Sequence, residues 1–320
     1  MQQVELTRSL RAARISRARW RELFSKPSLI FLLFVSPWIL GFLIFTVWPM
    51  LTSFYYSFTK YKVIIPPRWI GLENYKWLFT MDLDFKDALA NSLLLTITTV
   101  PVGVITAFIM AVVVNQEGIR GLPFWRALFY IPAIIPAVAS IYMFAWVLNY
   151  YYSPLNLLLK VVGLQPVNFF ASSTTLILLN VLAAWGFGGG MIIFLAGLRG
   201  IPRSLYEAAS IDGANRLQQI RHITLPGLSP VFFFMLTGGL IGSMQAFQTG
   251  WFLIQYGAPR AKMIFLGTLV YTNAFGGGSV GSAGGMGYAS AVAWVIFAIV
   301  MVLTALNLWG ARYWVYYEQI

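Results

Sequence analysis

The sequence predicts an all-α membrane protein whose chain crosses the bilayer six times. Three observations carry that prediction. Apolar residues make up 59% of the 320 residues and charged residues only 10%, with a mean hydropathy of +0.73. A soluble domain carries about 25% charged residues, so most of this surface is expected to face lipid. Six stretches free of Asp, Glu, Lys and Arg are each long enough to cross a bilayer, which takes about 20 apolar residues in a helix. With the N-terminus inside, 14 Lys and Arg fall on the inner segments and 8 on the outer ones, the bias that orients membrane proteins. Both termini, and the connection between the fourth and fifth spans, are therefore expected in the cytoplasm.

Taken in order, residues 1–27 form a basic arm and residues 28–320 the six-span domain. Seven of the 22 basic residues (Arg8, Arg11, Arg14, Arg17, Arg19, Arg21 and Lys26) precede the first apolar run. That distribution reads the net charge of +12 as a positive-inside flank on anionic headgroups, not as a nucleic-acid surface. The expected spans are Ser28–Phe58, Asn91–Val114, Ala127–Leu148, Leu176–Leu198, Leu228–Ile254 and Tyr288–Ala311. The first is too long for the apolar region of a signal peptide, so it is expected to stay as an anchor. Pro37, Pro49, Pro101, Pro132 and Pro136 lie within or near these spans, where neighbouring helices can satisfy the freed carbonyls. The first outer loop, Thr59–Ala90, is short and mixed in charge, and the second carries the aromatic cluster Tyr150–Tyr152. The third, Gln255–Gly287, is glycine-rich (Gly276–Gly278, Gly281, Gly284 and Gly285) and is expected to be a flexible outward loop. It suits either a docking site or a plain linker. The aromatic C-terminus, Trp309–Tyr317, reads as an interfacial belt.

The longest polar interruption is Glu207–Pro230, EAASIDGANRLQQIRHITLPGLSP. Ser204 and Glu207 have capping-box spacing, so a short helix is expected to start there. Leu205, Ala208, Ala209 and Asp212 fall on one mostly small face that can sink into a cleft. Gly213 stands where a residue of positive φ ends a helix. Asn215 is expected to cap a second short helix, and Pro226 to stop it. Taken alone, the loop also fits an amphipathic helix lying on the inner leaflet.

With Glu207, Ala208, Ala209, Gly213, Ile223, Leu225 and Pro226 in place, this stretch resembles the cytoplasmic signature loop of bacterial ABC importer permeases. The lead-in Leu198-Arg199-Gly200-Ile201-Pro202, the segment Trp69–Tyr75 and the opening Gly287-Tyr288-Ala289-Ser290-Ala291 resemble the carbohydrate-uptake branch. The resemblance implies a coupling helix within 199–227 that seats in a groove of the ATP-hydrolysing subunit. Glu207 and Asp212 would make the polar contacts and Ala208 and Ala209 the close ones, with Gly213, Leu225 and Pro226 completing the pattern. It also implies a bacterial inner-membrane location and alternating access. The implied partners are a second homologous permease, two ATP-binding subunits and an extracytoplasmic solute-binding protein.

The absences agree. No G-x-x-x-x-G-K-[S/T] occurs, so the chain is not expected to cradle a nucleotide; ATP and Mg would belong to the partners, and no cofactor is expected here. With no cysteine and the single His222, there is no thiol metal site or nucleophile and no histidine cluster, which with the lack of span-embedded carboxylates argues against a membrane enzyme. The rival reading, a self-sufficient secondary sugar carrier or channel, calls for intramembrane charges or inverted halves, and neither is visible. Close-packing glycines recur at Gly186–Gly190 and Gly238–Gly242, suited to packing or to making room for substrate.

For the substrate path, the residues singled out are Trp185, Phe187 and Gly190 on the fourth span and Gly242, Gln245, Gln248 and Thr249 on the fifth. A saccharide offers hydroxyls to amides and flat C–H faces to rings. On one continuous helix Gln245, Gln248 and Thr249 would share a face, next to Phe247 and Trp251. The maltose-type resemblance places pathway positions near Ala183, Phe187 and Gly190 and near Gly242, Gln245, Ala246 and Thr249. This chain has glycine where that pattern has a ring and alanine where it has an amide, which argues against maltose itself. The charge-free spans argue against a small ion, and 8 basic against 4 acidic residues in the outer loops lean toward an anionic sugar.

Overall fold

The computed structural model describes residues 27–116, 118, 120–151, 153–171, 173–276 and 284–316. The expected basic arm (except Pro27) and residues 277–283 of the glycine-rich connection lie outside the described residues. The first apolar run forms a unit of its own up to Tyr55. In it α1 (Pro27–Phe42) passes through a π-turn, Leu43–Val47, into α2 (Trp48–Ser57). The 28 residues Ile30–Ser57 make one apolar helix, about 42 Å long at 1.5 Å per residue.

The other unit starts at Tyr56. Strands β1 (Thr59–Lys62) and β2 (Ile65–Trp69) form an antiparallel hairpin, with Thr59 opposite Trp69 and Lys60 opposite Arg68. The Trp69–Tyr75 segment is a clasp for it. Trp69 stacks on Phe58 with centroids 5.5 Å apart. From α3 (Glu73–Thr80), buried Asn74 donates to the Ser57 and Thr59 carbonyls at 2.8 and 3.0 Å. Tyr75 Oη donates to Ser57 Oγ at 2.8 Å. One amide thus satisfies two carbonyls that burial would otherwise leave unpaired.

Helix α4 (Leu83–Val114) is the axis of this unit. Asp82 caps it by accepting from the Phe85 N–H at 3.1 Å. Around α4 lie α5 (Leu122–Ile134), α6 (Ala137–Val147), α7 (Pro154–Val161), α8 (Thr175–Trp185) and α9 (Gly188–Gly200). The polar loop holds α10 (Arg203–Ile211), α11 (Arg216–Gln219) and α12 (Leu225–Gly227). After it come α13 (Ser229–Met244), α14 (Gln248–Gln255), α15 (Arg260–Met263), α16 (Leu266–Phe275) and α17 (Met286–Ala311). Helices α8, α9, α13 and α16 pack directly on α4. In lipid such packing rests on close van der Waals fit, because tails are as apolar as the side chains they would cover.

Three of the six expected spans are not straight helices. The third bends by 95° between α5 and α6. Pro136, expected to be tolerated within the span, disfavours the helical conformation for the residue before it, and Ile135 is extended at φ −68°, ψ 127°. The fourth bends by 48° between α8 and α9. The fifth, expected to run unbroken from Leu228 to Ile254, stops at Met244, and Gln245–Phe247 form a break before α14. No proline causes that break. Packing holds it: a Cβ on Gly267 would lie 2.7 and 2.8 Å from the carbonyl oxygens of Ala246 and Gln245. Counting each bent pair as one span, the described residues contain up to six.

The described part of the 255–287 connection up to Phe275 is folded, not a flexible loop. Met263, Ile264, Phe265 and Leu266 are buried in it. Asn91 of α4 donates to the carbonyls of Ala261 and Ile264 at 2.8 and 3.0 Å, and the Leu266 N–H donates to Ser92 Oγ at 3.0 Å. Arg260 pairs with Asp84 at 2.7 Å. Tertiary hydrogen bonds and burial hold residues 260–266, while residues 277–283 of the glycine-rich stretch lie outside the described residues.

Candidate functional site

The polar loop is a capped and cross-bonded knuckle. Helix α10 begins at Arg203 with Pro202 as its N-cap and no side-chain cap. The expected Ser204/Glu207 capping box is therefore not formed, because Ser204 already lies inside the first turn. At the other end Gly213, φ +82°, donates to the Ser210 carbonyl at 3.1 Å and Ala214 to the Ala209 carbonyl at 2.8 Å. These two bonds are a Schellman closure, which needs the left-handed residue Gly213 supplies. The capping box sits one helix later. Asn215 Oδ1 accepts from the Gln218 N–H at 2.9 Å and Gln218 Oε1 from the Asn215 N–H at 2.7 Å. Pro226 does not stop that helix: a π-turn, Ile220–Thr224, leads into α12, where Pro226 occupies the first turn and needs no N–H partner. The chain then turns 65° into α13.

The inner side of the knuckle is tied down. The hydroxyls of Tyr206 and Thr224 share a hydrogen bond at 3.0 Å, and Gln219 Nε2 donates to Ser210 Oγ at 2.9 Å. Tyr206 packs on a core cluster containing Leu198, Ile201 and Leu228. The opposite side points away from the protein. Leu205, Glu207, Ala208 and Asp212 are exposed, Ala209 is half-buried, and Ile211 is 87% exposed. Hollows of about 630 and 340 Å³ flank α10, the first walled by Arg199, Tyr206 and Glu207, the second by Ala209, Asp212 and Gly213. Leu225 and Pro226 are exposed as well. Ser229 Oγ holds this end by donating to the Pro226 carbonyl and accepting from the Tyr316 N–H, both at 2.7 Å.

The second candidate region is the break at the far end of α13. Gly242, Gln245 and Gln248 are exposed and Thr249 is half-buried. The break means Gln245 does not share a continuous helical face with Gln248 and Thr249. Beside them Phe247, Trp251 and Tyr271 cluster, Tyr271 lying 4.4 Å from Phe247 and 5.0 Å from Trp251 between centroids. Tyr271 escaped the sequence reading because α16 lies in what read as loop; its i, i+4 partner Phe275, 5.4 Å away, was the available signal. The fourth-span residues are not gathered here. Phe187 packs edge-on with Phe129 at 6.2 Å, and Trp185 with Phe144 at 5.5 Å. A Cβ on Gly190 would lie 2.8 Å from Met235 and 2.9 Å from Ala107, the mark of a tight helix crossing. Gly238 and Gly242 have nothing within 4 Å of such a Cβ, so that face of α13 is open. Among the described residues no cluster of His, Asp and Glu could hold a metal ion.

No family model matches the chain. It is 38% identical over 292 residues to "Probable ABC transporter permease protein YesP" of Bacillus subtilis (strain 168), covering 89% of this chain and 91% of that one. The chain is an ABC transporter permease of the sugar-uptake branch. It is also 30% identical over 294 residues, 90% of each chain, to the "Arabinooligosaccharides transport system permease protein AraP" of the same organism. Its fold matches a subunit of a solved bacterial ABC transporter for import of the acidic polysaccharide alginate, with a TM-score of 0.77 at 23% identity over 92% of this chain and 98% of that one. The permease is thus an inner-membrane, multi-pass protein that works beside other subunits, and the secondary-carrier reading is set aside. Its two candidate regions are joined by α13, whose 16 residues separate them by about 24 Å.

Proposed function

We propose that this permease is one half of the membrane pathway of a binding-protein-dependent importer for a sugar, oligosaccharide or sugar derivative. A second homologous permease supplies the other half, and two ATP-binding subunits seat against α10. Both termini and the polar loop face the cytoplasm in this reading, which the Lys and Arg bias supports. ATP-driven closure of the partners pushes on Glu207, Ala208, Ala209, Asp212 and Gly213. The knuckle, braced by Tyr206–Thr224, Leu225 and Pro226, passes the movement into α13 and changes which side of the membrane the break faces. ATP and Mg act on the partner subunits.

The observation that supports a saccharide is the break itself. Exposed amides at Gln245 and Gln248 stand beside the Phe247–Trp251–Tyr271 rings, and Gly242 leaves room next to them. Amides satisfy sugar hydroxyls and ring faces receive C–H surfaces. Gln245, Gln248, Thr249 and Tyr271 are assigned to this site; Trp185, Phe187 and Gly190 pack against Phe144, Phe129 and Met235 and are left out of it. A hydrogen bond contributes about 0.5–1.5 kcal/mol net. Gln245→Ala, Gln248→Ala and Thr249→Ala are each expected to raise the half-saturating sugar concentration about two- to tenfold. Uptake by the assembled transporter, with basal ATPase as the assembly check, tests this. Unchanged uptake in all three would move the site to the partner permease.

The purified permease alone is expected neither to bind nor to hydrolyse ATP, since it has no phosphate-cradling loop. Micromolar nucleotide binding by the isolated chain, read by calorimetry, would contradict the division of labour proposed here.

A further inference from the structure

The β1–β2 hairpin lies outside both candidate regions described above. It is mounted on the first turn of α17, a 26-residue apolar span. A Cβ on Gly285 would lie 2.7 Å from the Tyr61 carbonyl oxygen, and Gly287 is pressed against the Thr59 carbonyl. The hairpin is therefore fixed where a membrane-spanning helix meets water. Its tip is aliphatic and outward: Val63, Ile64 and Ile65 are exposed, Ile64 by 96%. Pro66 and Pro67 follow at the irregular register of β2. Having no N–H, they blunt that edge against a further strand.

Behind the tip stand three exposed cations, Lys60, Lys62 and Arg68. Lys60 lies directly opposite Arg68, an arrangement that destabilises an antiparallel pair. Among the described residues none of the three has an ion-pair partner. Two acids of the following loop and helix are engaged elsewhere, Asp84 with Arg260 and Asp82 with the Tyr288 hydroxyl and the α4 cap. An anion supplied from outside would relieve the Lys60–Arg68 repulsion. An aliphatic tip with a cationic collar at the edge of a span matches the chemistry of a lipid surface, apolar below and phosphate above.

We propose that this hairpin is a membrane-interface anchor, in which Val63–Ile65 dip into the bilayer and Lys60, Lys62 and Arg68 bind the phosphates of anionic phospholipids. The anchor sets the depth of α17 and rests only on membrane insertion, not on the identity of the solute. The permease has no cysteine, so Ile64→Cys carries one nitroxide on the full chain, and Val63→Cys gives an independent reporter. Each is reconstituted in phosphatidylcholine alone or in equal parts phosphatidylcholine and phosphatidylglycerol, and collision with oxygen is compared with collision with a water-soluble nickel chelate. The expected result is an oxygen-dominated signal that deepens when phosphatidylglycerol is present. Each basic residue near an anionic surface is worth about a fivefold preference. Lys60→Gln/Lys62→Gln/Arg68→Gln should therefore cut co-purified phosphatidylglycerol at least about fivefold and abolish the deepening. A nickel-dominated label in both bilayers would overturn the anchor. So would a signal indifferent to phosphatidylglycerol, or shielding that appears only when a solute-binding protein is added.

Discussion

Uptake by the assembled transporter is expected to fall to background in Gly213→Val while the permease still inserts and assembles. Gly213 holds φ +82° at the Schellman closure of α10, and a Cβ there would have nothing within 4 Å. The injury is therefore conformational, with no clash to spread into the bundle. Forcing a β-branched residue into a left-handed conformation costs about 1–3 kcal/mol. The last turn of α10 can escape that cost by unwinding, which displaces Asp212 and the small face of Ala208 and Ala209. Gly213→Asn, which tolerates the same backbone, should keep most of the activity. Glu207→Lys reverses an exposed charge without touching the core and should likewise uncouple ATP hydrolysis from uptake. ATPase and uptake measured side by side decide the matter. Coupled transport at the normal ratio in both Gly213→Val and Glu207→Lys would remove the coupling role from this loop.

Gly267→Val should cost nearly as much transport, although Gly267 is assigned no contact with substrate. Its Cβ would meet backbone, with the Ala246 oxygen at 2.7 Å, the Gln245 oxygen at 2.8 Å and the Ala246 carbonyl carbon at 3.0 Å. A side chain can rotate out of the way, but these atoms cannot move without moving the break. Overpacking of this kind costs about 1–3 kcal/mol, and the displaced backbone carries Gln245 and Gln248 with it. A lowered midpoint of thermal unfolding together with lost uptake is expected, and Gly267→Ala should show a weaker form of both. Gly238→Ala is the control on the open face of α13, where a Cβ meets nothing within 4 Å. Equal effects at the two positions would show that close approach at the break is not what holds the site.

The regions where sequence and structure agree share a physical cause. A span is legible from apolar length alone, because lipid imposes that length on any helix that crosses it. The end of α10 was legible because only a left-handed residue closes a helix in that way, and Gly213 was the residue placed to do it. Asn215 was legible as a cap for a similar local reason. Trp69–Tyr75 and the Gly287-Tyr288 opening could be recognised as patterns. What they do, clasp a hairpin and admit the Thr59 carbonyl, emerged only when Ser57, Asn74 and Gly287 were brought together.

The amino-acid sequence by itself determined that this is a membrane-embedded helical protein with a long polar loop between its fourth and fifth apolar runs, since composition, charge-free length and turn chemistry are local properties. Tertiary structure alone decided that the fifth span breaks at Gln245–Phe247. It also decided that Leu266–Phe275 of the 255–287 connection forms α16, and that Tyr271 joins Phe247 and Trp251 beside the glutamines. The reason is distance along the chain. The break at Gln245–Phe247 is held by Gly267 and by Thr268, whose hydroxyl donates to the Phe247 carbonyl at 3.4 Å, 21 residues away in sequence. No pattern within a single helical run records a contact made from outside it.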